Sequence, residues 1–213
     1  MACTSSSLSD RPASGHALRR LARLLLGPLL LALAGCSAML AQNPSSPLKP
    51  VRATAMGDDA HVMLDGHDVV SYFTQGRHAL GTARFKSRHE GVDFYFANAE
   101  HKALFDASPM RYVPQFGGFC ANGIAYAIPW GGDADTWLID DGKLYIFGGA
   151  GSRAAFELDR KANLALAHQY WKEEVAGSNS FVQRSWRLVF KVPHYKSGAE
   201  LDRMVKEAAA RRA

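Results

Sequence analysis

Clustered cysteine is what this chain most conspicuously lacks. Its 213 residues hold 3 cysteines, with no Cys-x-x-Cys pair and no His-x₃-His at ligand spacing. Structural zinc takes four Cys/His ligands at short paired spacings, so the sequence argues against such a site. Missing too are a Gly-x-Ser-x-Gly elbow, a phosphate-binding loop and a His-Glu-x-x-His helix, and with them the usual signatures of hydrolases, nucleotide enzymes and zinc peptidases. Gly148-Gly-Ala-Gly151 follows a strand and precedes a helix. That strand is the second arm of a hairpin rather than part of a βαβ unit, and the glycine spacing does not fit dinucleotide binding. No internal repeat is evident. The longest apolar run, Leu24 to Ala34, has eleven residues and is interrupted by Gly27-Pro28, against roughly twenty for a membrane-spanning helix.

That run belongs instead to a targeting signal. Arg11, Arg19, Arg20 and Arg23 precede it with only Asp10 in opposition, and small residues follow it, the order of a secretory leader. Leu33-Ala34-Gly35-Cys36 resembles the bacterial lipobox, which implies cleavage before Cys36 and acylation of that residue. More than one acyl chain anchors a protein stably to a membrane. Ser37, not aspartate, follows Cys36, which points to the periplasmic face of the outer membrane. Arg19-Arg20 does not extend into a twin-arginine signal.

Removing residues 1–35 changes the charge balance. Four of 25 basic and one of 20 acidic residues go with them, leaving 21 and 19, a net of +2. Nucleic-acid binding thereby loses its main support. Residues 181–213 hold eight Lys/Arg and three Asp/Glu, so residues 36–180 carry 13 basic and 16 acidic groups. A mildly acidic body is followed by a basic tail.

Four segments follow: a leader over 1–35, a Pro/Ser-rich spacer over 36–57, one domain over 58–177, and an extension over 178–213. The domain reads as α+β, short antiparallel strands and hairpins with packed helices. Gly66 to Phe73 opens on a turn and leaves helix or extended chain undecided. Arg84-Phe85 and Val92–Phe96 form a hairpin around Glu90-Gly91. Asn98 caps a helix to Ala107 that Pro109 ends. Trp137–Phe147 is a hairpin turning on Asp141-Gly142, a dipeptide that tolerates positive φ. Ser152 to Trp171 is helical, stopping by Gly177. Ser197-Gly-Ala-Glu200 is a capping box opening a helix to about Arg211. The tail is expected to be dispensable for folding of the domain.

In this order, Asp68-Val-Val-Ser-Tyr-Phe73, Phe94-Tyr-Phe96, Pro109-Met-Arg-Tyr112, Pro114-Gln-Phe-Gly-Gly-Phe-Cys-Ala121, and Trp137 ahead of Asp141-Gly-Lys-Leu-Tyr145 resemble the exported YHS-domain proteins. The resemblance covers residues 62–172. It implies a small α+β domain related to metal-associated modules of the TRASH type. Some relatives carry selenocysteine at the position of Cys120, which implies a chalcogen whose chemistry is used. Relatives usually have Tyr at the position of His67 and often Asn at that of Phe147, so a site lined by either would take a different ligand here.

With Cys3 in the leader and Cys36 in the lipobox, Cys120 is left without an internal disulfide partner. A lone cysteine is buried and inert, a metal ligand, or a redox group. Gly117, Gly118 and Gly123 around it permit close approach of other groups, and equally an ordinary turn. As a metal site, Cys120 would hold a soft ion such as Cu(I) with a histidine or methionine brought in by the fold. His67 is the leading partner, because Asp68 beside it can orient the ring. The domain also offers His61, His78, His89, His101, His168, Met56, Met63 and Met110. Two further readings stand beside the metal: a thiol redox protein or sensor, and an envelope scaffold with no chemistry.

Overall fold

The computed structural model describes Leu48 and residues 50–212. The leader, Cys36 and most of the spacer lie outside the described residues. The architecture is α+β, as the sequence indicates. Strands β1 (Ala53–Met56), β2 (Asp59–Met63), β3 (Thr82–His89) and β4 (Val92–Phe96) form one sheet in the order β1-β2-β4-β3. β5 (Asp133–Asp140) and β6 (Lys143–Phe147) form a separate hairpin. One pairing departs from the antiparallel expectation: β2 meets β4 in parallel at Val62 and Asp93. β1 also lies inside the stretch read as spacer, so the folded body begins earlier than the Pro/Ser composition suggested.

Both expected hairpins form, and their turns explain why. Glu90 (φ 50°) with Gly91 (φ 76°) and Asp141 (φ 48°) with Gly142 (φ 67°) take two successive left-handed residues, the geometry matched to strand twist. Helix α1 (Ser71–Thr74) settles the undecided segment after Gly66. Helix α2 (Ala99–Ala107) starts where Asn98 accepts a hydrogen bond from His101 N. Pro109 then opens α3 (Pro109–Tyr112), where its missing N–H costs nothing. Helix α4 (Ala121–Ile124) follows the turn Gln115–Gly118.

Two apolar clusters form, and β6 is the wall between them. Leu144 and Ile146 face the first cluster, with Val69, Val70, Phe94, Phe96 and Phe105. Tyr145 and Phe147 face the second, with Phe116, Ile124, Ile128 and Phe156. Strand parity sends alternate side chains to opposite faces, so a five-residue strand serves both clusters.

The helix expected over 152–171 is divided. α5 (Ala150–Glu157) ends, and Asp159 caps α6 (Arg160–Tyr170) by accepting from Ala162 N. A wider turn over Trp171–Val175 leads to Gly177, at φ 78°. α7 (Ser180–Val189) was not anticipated; α8 (Gly198–Ala210) was, with its Ser197–Glu200 capping box formed in both directions. The tail packs on the body. Val192 is 4 % exposed inside the second cluster, Tyr195 and Leu201 pack against it, and the His194 ring bonds to Ala125 O at 2.9 Å. Both clusters and their packed neighbours fall within residues 48–201, so a chain without its leader retains all of the described packing.

Candidate functional site

A sharp backbone reversal presents Cys120. Phe116, Gly117 and Gly118 take φ of 56°, 59° and 78° in succession. At Gly117 a Cβ would lie 2.2 Å from Pro50 O, so only glycine lets the segment before β1 cross here. Arg52 N donates to Gly117 O at 2.7 Å and fixes that crossing. Cys120 N then donates to Trp130 O at 2.9 Å, and Cys120 bridges in parallel to Ile146 of β6. Held between two neighbouring segments, the residue has its sulfur aimed at the start of α5, where Ser152 Oγ lies 3.1 Å away. Gly148 packs beside the sulfur: a Cβ there would sit 3.7 Å from it, an ordinary contact, and more tightly at 3.1 Å from Gly131 O.

Cys120 is only 3 % exposed, as an inert cysteine would be. What distinguishes it is a cavity of about 300 Å³ whose wall includes Cys120, Asn122, Tyr126, Trp130, Ser152, Lys196 and Asp202. Asn122, 6 % exposed, lines the same wall. A carboxamide on this wall offers both a donor and an acceptor to whatever enters the cavity. Lys196 brings a positive charge to the same wall, and Asp202 a negative one, with its Oδ1 close to the start of α5 beside Gly151. Burial raises the Tyr126 hydroxyl above its ordinary range, assisted by Tyr195 and Glu200, so this wall group remains a neutral donor.

His67 lies elsewhere. Its Nδ1–H donates to Leu64 O at 2.9 Å and its ring stacks on His78 at 5.7 Å. It is not among the cavity-lining residues, and neither is any other histidine or methionine among the described residues. Asp68 does not orient His67. Its fully buried carboxylate accepts from Val70 N and Ala97 N, both at 2.9 Å, and from His101 Nδ1 at 2.6 Å. The reason is positional: His67 precedes the turn into α1, whereas His101 sits on the inner side of α2 and faces Asp68 across the cluster. Among the described residues, no group of three or more His, Cys, Asp or Glu is arranged to hold a metal ion.

Sequence reasoning located Cys120 and missed the rest of its surroundings. Ser152 carried a faint signal, as a hydroxyl in the first turn of a helix after a glycine run. Asn122 carried none. Lys196 and Asp202 lie in the segment read as an appendage, which in fact closes one side of the cavity. Comparison with known proteins found no matching family model, no similar curated protein and no similar solved structure.

Proposed function

We propose that the chain is a lipid-anchored envelope protein, acylated at Cys36, whose YHS-like body uses Cys120 as a reactive thiol toward small polar oxidants. The observation that carries this reading is Cys120 at the wall of a cavity it shares with Asn122, with Ser152 Oγ in hydrogen-bond range of the sulfur. A hydroperoxide fits the chemistry. The sulfur attacks one peroxide oxygen, an S–O bond forms and the O–O bond breaks. The second oxygen takes a proton and leaves as water or alcohol, while sulfur is oxidised to sulfenic acid by two electrons. Ser152 and Asn122 supply hydrogen bonds to the oxygen gained, and Lys196 favours an anionic reactant.

The soft-metal reading stands second. Beyond the one sulfur, the side chains named on the cavity wall offer oxygen, amide and amine donors and no second soft ligand. Treatment of the full chain with a hydroperoxide and a sulfenate-trapping dione, read by peptide-resolved mass spectrometry, tests the proposal. An adduct at Cys120, lost in Cys120→Ser, is expected. A thiol left unmodified sinks the redox reading, and protection of Cys120 from alkylation by one equivalent of Cu(I) moves the assignment to a metal. The anchor is tested separately: Cys36→Ser should no longer partition into detergent.

A further inference from the structure

Helix α7 is docked inside out. Its polar side faces the body: Gln183 Nε2 donates to Ala127 O at 3.2 Å and to Glu174 at 3.1 Å, and Arg187 Nε donates to Glu174 at 2.8 Å. Its apolar side faces solvent. Val182, Trp186, Val189 and Phe190 recur at i, i+4, i+7 and i+8, one stripe of a helix. They are 58 %, 55 %, 72 % and 51 % exposed. Trp186 and Phe190 pack on each other with ring centroids 4.0 Å apart, presenting a single aromatic ledge. A surface helix normally buries such a stripe, so this one is built to be covered by something outside the described residues.

We infer that the occupant is an anionic lipid surface, with α7 lying along the interface and its aromatic ledge in the headgroup–acyl boundary. Charge decides between this and a second copy of the chain. Residues 181–213 carry eight Lys/Arg against three Asp/Glu, and exposed Lys191 directly follows Phe190. Pairing two copies through α7 would bring two such basic segments together, whereas an anionic bilayer brings the opposite sign. A Trp/Phe face beside basic residues is also the composition of interfacial helices. The acyl anchor is not required. If Cys36 is acylated, the fourteen residues from there to Pro50 reach at most about 50 Å, which keeps α7 near the surface.

The test uses the chain from residue 37, which lacks Cys36 and retains the described packing, so its outcome is separate from that of the anchor. It is mixed with vesicles containing one-third phosphatidylglycerol, or with phosphatidylcholine alone. Binding to the anionic vesicles with a blue shift of tryptophan emission is expected. Trp186→Ser with Phe190→Ser should lower partitioning about tenfold or more and leave the melting temperature nearly unchanged, because both side chains are exposed. Trp186→Phe should bind and lose most of the shift, and Lys191→Glu should weaken binding to anionic vesicles only. No binding to anionic vesicles, or binding indifferent to the double substitution, overturns the inference. So does a dimer that the double substitution dissolves, which would make a second copy the occupant.

Discussion

Asp68→Ala should be among the most damaging single substitutions outside the apolar clusters. The carboxylate is fully buried and receives three donors from separate places: the start of α1 through Val70 N, the end of β4 through Ala97 N, and α2 through His101. Truncation leaves all three unpaired in a site closed to water. Breaking a buried pair by removing one partner costs about 3–5 kcal/mol. At about 2–4 °C per kcal/mol for a body of this size, the melting temperature should fall by roughly 6–20 °C. Asp68→Asn keeps the shape and one acceptor oxygen and should cost less. Glu207→Ala is the control. It removes an i,i+4 pair with Arg203 whose side chains are 69 % and 55 % exposed, and should cost at most about 0.5 kcal/mol. Urea unfolding of the three variants supplies the free energies, and a cycle with His101→Ala should be strongly non-additive. An Asp68→Ala loss under about 1 kcal/mol, or one no greater than that of Glu207→Ala, would refute the assignment of Asp68 as the tie between these elements.

Burial, with a smaller contribution from Lys143, holds the His168 imidazole below its ordinary 6.5, while Tyr145 hydrogen-bonds to its Nε2 at 3.1 Å. The unfolded chain then binds the proton more tightly, so His168 stabilises the fold above about pH 6.5 and loses that contribution as pH falls through 6.5 toward the folded value. Urea midpoints at pH 7.5 and 5.5 should differ more for the native chain than for His168→Gln, and equal differences would contradict this. Ending the chain at Gly177 should lower the melting temperature by about ten degrees or more, because Val192, Tyr195 and Leu201 leave the second cluster and Lys196 and Asp202 leave the cavity wall. A truncated chain melting within a few degrees of the whole would restore the dispensable tail.

Local chemistry made part of the fold legible. Asp141-Gly142, Asn98 and the Ser197–Glu200 box act within a few residues of themselves, and each formed where the sequence placed it. The division at Asp159 was hidden because an aspartate that caps a second helix resembles any polar residue on one continuous helix. The tail was read as an appendage because Val192, His194 and Tyr195 are held by the rest of the chain, without a periodicity of their own. The missed α7 shows the same limit from the other side, since an apolar stripe does not announce which way it faces. For the site, the glycines around Cys120 marked close crossings of the chain, Gly117 against Pro50 and Gly123 against Ile128, rather than an approach to the sulfur. Its neighbours Asn122, Ser152, Lys196 and Asp202 come from α4, α5, the turn before α8 and α8 itself, and His67 beside Asp68 was adjacency in sequence without contact in the fold.

Whether Cys120 is addressed through its cavity is most directly measured by the rate at which the native full chain reacts with thiol reagents of opposite character. An anionic aromatic disulfide and a neutral one are compared, with peptide-resolved mass spectrometry separating Cys120 from Cys3 and Cys36. Cys120 should react with both far faster than the body unfolds globally. Lys196→Glu should slow the anionic reagent several-fold more than the neutral one, because the ammonium lines the same wall as the sulfur. Reaction of Cys120 only at the rate of global unfolding, with Lys196→Glu affecting the two reagents alike, would contradict a reactive thiol site and leave Cys120 a packing residue.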